Sequence, residues 1–149
     1  MDINIALGIA GAVACLALSG LGSAIGTGFA AAGAIGAWKK CYAQNRPAPF
    51  LLLAYVGAPI TQTLYGMILM FTMIGVQNPV PGAGFAMLIL GIFAGAGIGM
   101  SAIFQGRAGG CSADAHGETG QGLTNNLAAL GVIETTAIFI MVFTLIAVG

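Results

Sequence analysis

The chain has 149 residues, of which 58% are hydrophobic and only 5% are charged, so it is too apolar for a water-soluble domain of this size. Its formal net charge of zero gives no electrostatic basis for binding nucleic acid, and we expect no nucleic-acid partner. The composition instead indicates a protein that lies in a lipid bilayer.

Four apolar segments are each long enough to cross a bilayer, which takes about 20 residues of helix. The predicted spans cover residues about 3–37, 50–76, 83–110 and 123–148. Two prolines and a glycine in the stretch 77–82 cannot continue a helix, so they separate the second span from the third. The sequence therefore predicts an all-α integral membrane protein with four transmembrane helices, arranged as a first hairpin, 1–76, and a second hairpin, 77–149.

The loops between the spans differ in charge. The first loop, 38–47, is basic because it contains Lys39, Lys40 and Arg46. The positive-inside rule places this loop in the cytoplasm. The loop predicted at 111–121 then lies on the same side, and both termini lie outside.

Two residues near the second of these loops are expected to have no direct role. Arg107 is expected to extend its side chain to the lipid headgroups, or alternatively to pair with Asp114 or Glu118. His116 lies in the predicted polar loop and is expected to be solvated.

The two hairpins resemble each other, which suggests that one hairpin was duplicated. The matching stretches are "GSAIGTG" (22–28) with "MSAIFQG" (100–106), and "QTLYGMILMF" (62–71) with "ETTAIFIMVF" (134–143). In this overlay Glu134 corresponds to Gln62. Gln105 and Glu134 are equally far along the chain from the middle of their loop, so antiparallel helices would place both at one depth, about 20 Å from the loop apex.

Spans one and three carry small residues at steps of three or four, a pattern that lets helix backbones approach closely in lipid. In span one these are Gly8, Gly11, Cys15, Ser19, Gly22, Gly26, Ala30 and Gly33. In span three they are Gly84, Gly91, Gly95, Gly99, Ala102, Gly106 and Gly109. We expect these two helices to form the tight inner layer of a ring of subunits, with ordinary packing inside one monomer as the alternative.

Glu134 lies near the middle of span four, where an acidic residue costs about 2.5–3.5 kcal/mol to insert. Burial favours the protonated form of its carboxyl group, whereas a bound cation favours the ionised form. A site that exchanges these two forms would carry an ion. This hypothesis makes Glu134 the expected target of a carbodiimide.

Other polar groups could complete an oxygen shell around a hard cation at Glu134. Gln62 and Gln105 offer amide oxygens, Thr61 offers a hydroxyl group, and Pro59 frees backbone carbonyl groups near Ala58. Tyr65 could donate its hydroxyl hydrogen to the ionised carboxylate. For each polar side chain, an ordinary hydrogen bond between helices is the alternative.

Three of these motifs together resemble the membrane rotor subunit (proteolipid, c or K subunit) of V/A-type rotary ATPases. They are "PITQTLYG" at 59–66, "FQGRAGG" at 104–110 and "VIETTAI" at 132–138. The matching positions of the sodium-transporting members imply that the Na⁺ ligands are Ala58 (through its carbonyl oxygen), Thr61, Gln62, Gln105 and Glu134. The resemblance also implies that Tyr65 supports the glutamate and that Na⁺ is the transported ion, with H⁺ as the alternative.

The resemblance further implies a homo-oligomeric ring in membrane lipid, in the cell membrane if the source is prokaryotic. The ring would turn against a stator subunit that carries an arginine, and central stalk subunits would contact the cytoplasmic loops. ATP hydrolysis or synthesis would occur on a soluble head, so this chain is not an enzyme by itself and needs no organic cofactor. The alternative function is a small proton-coupled secondary transporter that uses Glu134.

Overall fold

The computed structural model describes residues 2–76 and 82–148, and this part of the chain contains helices and no strand. The five α-helices are α1 (Ile3–Ala43), α2 (Leu53–Gly57), α3 (Thr61–Gly75), α4 (Ala83–Thr119) and α5 (Leu123–Val148). A short 3₁₀ turn at Phe50–Leu52 precedes α2, and a second one at Ala58–Ile60 joins α2 to α3, so that the four pieces form one span, Phe50–Gly75. In the described chain, four helical segments are therefore long and apolar enough to cross a membrane, which confirms the predicted fold class.

The predicted break between the second and third spans is only partly described. Residues 77–81 of that stretch lie outside the described residues. Gly82 is described, and its φ of 87° is a left-handed conformation that glycine adopts without strain. It immediately precedes the first residue of α4.

Two helices extend beyond the spans predicted from the sequence. The helix α1 continues to Ala43 rather than ending near residue 37, and α4 continues to Thr119 rather than ending near residue 110. The loop predicted at 111–121 is therefore mostly helical, and only residues 120–122 join α4 to α5. The prediction was wrong because polar residues mark where the apolar run ends, whereas α4 itself continues to Thr119 and is followed by Gly120, whose φ of 69° is a left-handed conformation.

The helices α1 and α4 pack with their backbones in direct contact. A Cβ atom added to Gly22 would overlap the backbone of Gly99, and one added to Gly106 would overlap the backbone of Gly26. Glycine is required at these positions because no side-chain atom fits between the two helices. Spans one and three therefore pack closely within a single chain, which is the alternative stated above, and their place in the inner layer of a ring stays a prediction.

The second span and α5 pack around this central pair. On the α3 side, a Cβ atom on Gly66 would meet the Ser19 side chain of α1. Only Leu130, Ala137 and Thr144 of α5 are buried. Most of α5, the helix that carries Glu134, therefore lies at the periphery of the folded chain.

The first loop and the α4–α5 connection lie at the same end of the molecule, as predicted. Lys40 Nζ lies 2.8 Å from Asp114 Oδ1 and 3.8 Å from Glu118 Oε2, and Arg46 Nη1 donates to the backbone oxygen of Glu118 at 3.2 Å. Exposed ion pairs of this kind contribute about 0–1 kcal/mol. These contacts therefore add little to the stability of the fold, but they show that the two hairpins meet at this end.

Arg107 does not make the alternative pairing with Asp114 or Glu118. In the part of the chain that the structure describes, both carboxylates face Lys40 instead. The Arg107 guanidinium lies 5.9 Å from the centre of the Phe29 ring, on an exposed face. This distance is compatible with a cation–π contact.

His116 is buried, so the expectation of a solvated loop histidine was wrong. The reason is that α4 continues past this residue and turns its ring toward the second span. The Tyr55 hydroxyl lies 3.1 Å from His116 Nδ1, and Asn126 Nδ2 donates to the Tyr55 hydroxyl at 3.3 Å. These bonds connect α2, α4 and α5 at the loop end.

Candidate cation-binding site

The site begins at the 3₁₀ turn in the second span. Pro59 has no N–H to donate, and the helix tightens locally at Ala58–Ile60. The Thr61 hydroxyl lies 3.0 Å from the Ala58 carbonyl oxygen and 3.2 Å from Gln62 Oε1, and its single hydrogen can point to either. Three oxygen atoms of different chemical type are thus gathered within one helical turn.

Two fully buried glutamines connect this turn to the second hairpin. Gln62 and Gln105 are each 0% exposed. Gln62 Nε2 donates to Gln105 Oε1 at 2.8 Å, so α3 and α4 are joined by an amide–amide hydrogen bond. Gln105 Nε2 in turn lies 3.0 Å from the Leu130 carbonyl oxygen and 3.2 Å from Glu134 Oε2, both on α5.

The Glu134 carboxylate accepts hydrogen bonds on both of its oxygen atoms. Tyr65 Oη donates to Oε1 at 2.7 Å, and Gln105 Nε2 donates to Oε2. Both donors are electrically neutral. Neither donor therefore balances the negative charge of an ionised Glu134, and a bound cation would balance it. A protonated Glu134 has no charge to balance.

The structure brings together all six residues that were predicted for the site. They are Ala58, Thr61, Gln62, Tyr65, Gln105 and Glu134. The depth argument for Gln105 and Glu134 is confirmed by their direct hydrogen bond. Amide, hydroxyl, carbonyl and carboxylate oxygens are the ligands that hard cations prefer.

Two supporting groups were not predicted. Leu130 contributes only its backbone oxygen, and it lies one turn before Glu134, on the same side of α5. Ser101 Oγ donates to the Ile133 carbonyl oxygen at 3.0 Å, next to Glu134. The position of Leu130, four residues before Glu134, could have suggested it. No sequence signal pointed to Ser101, because it resembles the other small residues of its helix.

Part of the second hairpin also matches a model of a known protein family. A family model that describes the C subunit of ATP synthase matches residues 100–147, which include Gln105 and Glu134. The comparison with curated proteins gave no match. The match supports the resemblance to rotor proteolipids for this stretch, without separating sodium-carrying from proton-carrying members. Over residues 100–147, from the second half of α4 through α5, the chain is therefore similar to the C subunit of ATP synthase.

Proposed function

We propose that this chain is the ion-carrying rotor-ring proteolipid of a V/A-type rotary ATPase and that it carries Na⁺, with H⁺ as the alternative. The observation that carries the proposal is the hydrogen-bonded network that links the Glu134 carboxylate to Gln105, Gln105 to Gln62, and Gln62 to the Thr61 hydroxyl. The similarity of residues 100–147 to the C subunit of ATP synthase supports the assignment to a rotor ring.

The charge of the site explains how it carries an ion. An empty, ionised Glu134 is costly in lipid, whereas Glu134 with one bound monovalent cation has no net charge. A loaded site can therefore move past the lipid. An arginine on a stator subunit then stabilises the ionised carboxylate of Glu134 and so displaces the cation. Rotation of the ring past this arginine couples transport to the soluble head, where ATP is hydrolysed or made.

The oxygen groups around Glu134 favour Na⁺ over H⁺. A proton needs only the carboxyl group. In a cation site, the oxygens of Gln62, Thr61 and Ala58 complete the coordination shell that the carboxylate alone cannot supply.

Ring assembly follows from the same proposal. Identical subunits that repeat a head-to-tail contact form a ring when the rotation between neighbours closes. The peripheral face of α5 is available for neighbouring subunits and lipid. Central stalk subunits contact the end that carries Lys39, Lys40 and Arg46, which lies in the cytoplasm, while both termini lie outside.

Carbodiimide labelling of the purified full chain tests the proposal. We expect Glu134 to be modified and Na⁺ to protect it, because the bound cation occupies the carboxylate. The measurement is mass-spectrometric detection of the modified peptide across pH, with Na⁺ or with K⁺ at equal ionic strength. Glu118 serves as the internal control, since it is exposed at the end of α4.

Three outcomes separate the possibilities. Protection of Glu134 by Na⁺ supports a sodium-carrying ring. Labelling that changes with pH but is indifferent to Na⁺ indicates a proton-carrying ring. Failure of Glu134 to react at any pH, with Glu118 labelled normally, contradicts an ion-carrying role for Glu134.

A second prediction concerns Tyr65, whose hydroxyl is the closest donor to the carboxylate. Tyr65→Phe should raise the Na⁺ concentration that half-protects Glu134 about tenfold or more, because a hydrogen bond to a charged group contributes about 1.5–3 kcal/mol. The labelling assay measures this concentration directly. The exposed Tyr42, changed to Phe, is the control. Equal protection in both variants would show that the Tyr65 hydroxyl does not support the loaded site.

A further inference from the structure

Ser23 on α1 has a buried hydroxyl group with no partner. The residue is 4% exposed, and among residues 2–76 and 82–148 its Oγ is the one buried side-chain polar atom that makes no hydrogen bond. Leaving such a buried group without a partner destabilises the structure, and native proteins rarely do so. By contrast, Ser19, one turn earlier, donates to the Cys15 carbonyl oxygen at 2.8 Å.

The register of α1 against the second span shows what Ser23 faces. A Cβ atom on Gly66 would meet the Ser19 side chain, and a Cβ atom on Gly26 would lie 3.1 Å from Pro59 Cβ. Ser23 lies between these two contacts along α1. Four residues along a helix turn the direction by only about 40°, so Ser23 points to the same side as Ser19. It therefore faces the first turn of α3, at residues 62–63.

The Gln62 amide in that turn also has an unused group. Its side chain is fully buried and carries two N–H donors and one oxygen. One N–H goes to Gln105, and the oxygen lies 3.2 Å from the Thr61 hydroxyl. Within the described ranges, the second N–H has no acceptor. A buried donor and a buried hydroxyl, each incompletely bonded, thus lie on facing turns beside the site.

We propose that Ser23 is a positioning residue for the cation site. When the cation binds, the amide oxygens of Gln62 and Gln105 both turn toward it, and Gln62 Nε2 loses Gln105 Oε1 as its acceptor. The Ser23 hydroxyl oxygen then accepts an N–H of Gln62, which holds Gln62 Oε1 toward the cation. This inference rests on the proposed function, because it applies only to a site that binds a cation.

The duplicated hairpin supplies an independent argument. In the overlay of 22–28 with 100–106, Ser23 corresponds to Ser101. Ser101 donates to the backbone of Ile133, the residue before Glu134, and Glu134 corresponds to Gln62 in the first hairpin. The equivalent serines therefore face the turns that carry the two equivalent site residues.

Ser23→Ala in the full chain tests this role. Ser19→Ala is the control, because it removes a hydroxyl group on the same face of α1 that already donates to the Cys15 carbonyl oxygen. We expect Ser23→Ala to raise the Na⁺ concentration that half-protects Glu134 from carbodiimide about three- to tenfold, the effect of one neutral hydrogen bond. Ser19→Ala should leave this concentration unchanged. The pH profile of labelling without Na⁺ should be the same in wild type and Ser23→Ala, since a proton does not need Gln62.

The outcomes distinguish this inference from the proposed function. Removing an unpaired hydroxyl should not unfold the chain, and helical circular dichroism checks that it does not. Na⁺ protection in the wild type with no shift in Ser23→Ala, or with an equal shift in Ser19→Ala, would overturn the role of Ser23 alone. Absence of Na⁺ protection in the wild type would overturn both the sodium function and the role of Ser23.

Discussion

Replacing Glu134 with glutamine should lower the affinity of the full chain for Na⁺ by at least about 100-fold, because breaking a buried charge pair costs about 3–5 kcal/mol. Glutamine has nearly the same shape and keeps an oxygen that can accept from Tyr65. The variant therefore removes the charge and leaves most of the packing. We expect the helices to form normally.

Equilibrium dialysis with radioactive Na⁺ measures this affinity on the purified chain, so the result does not depend on partner subunits. Glu118→Gln makes the same chemical change at an exposed end of α4 and should bind Na⁺ like the wild type. In the assembled complex, Glu134→Gln should also abolish Na⁺ uptake into vesicles. Full uptake by that variant would remove Glu134 from the transport mechanism.

The candidate site could be predicted from the sequence because polar residues are rare in these spans. Glu134, Gln105 and Gln62 stand out in apolar surroundings, and an α-helix rises by a constant amount per residue. Distances from the loop therefore fix relative depth when two helices are straight and antiparallel. Pro59 marked the irregular turn that gathers the Ala58 and Thr61 oxygens.

The ends of α1 and α4 could not be predicted in the same way. Hydropathy indicates where an apolar segment ends, but α1 and α4 continue as helices beyond their apolar segments. Lys40 and Asp114 lie on these extensions and form an ion pair. The burial of His116 depends on this continuation, because the helix holds the His116 ring against the second span, 3.1 Å from the Tyr55 hydroxyl. The error in one helix end therefore produced the error about His116.

The serines beside the site were missed for a different reason. In a stripe of glycines and alanines, Ser23 and Ser101 are typical packing residues, and the sequence does not separate a packing hydroxyl from a bonded one. The Ser101 hydroxyl bonds to a backbone oxygen of α5, and the role proposed for Ser23 depends on the Gln62 amide that faces it from α3. That information is present only after α1 and α4 are placed against α3 and α5.

The close contact of α1 and α4 leads to the second large expected effect. Gly26→Ala and Gly106→Ala should each destabilise the fold by about 1–3 kcal/mol or more, because the added Cβ atom meets backbone that cannot move aside alone. At Gly26 the Cβ atom would lie 2.8 Å from the Ala102 carbonyl carbon, and at Gly106 it would overlap Gly26. Gly28 has no other atom within 4 Å of an added Cβ. Gly28→Ala should therefore be neutral or stabilising by up to about 1 kcal/mol, since alanine favours helix more than glycine does.

Unfolding of the detergent-solubilised chain, followed by helical circular dichroism, measures the three alanine variants side by side. Equal stability of Gly26→Ala and Gly28→Ala would contradict the direct backbone contact.

The same variants also connect packing to function. Gln105 precedes Gly106, so a helix pair forced apart carries the Gln105 amide away from Gln62 and lengthens their 2.8 Å hydrogen bond. Gly106→Ala should therefore weaken Na⁺ protection of Glu134 even under conditions where the variant stays folded, whereas Gly28→Ala should not.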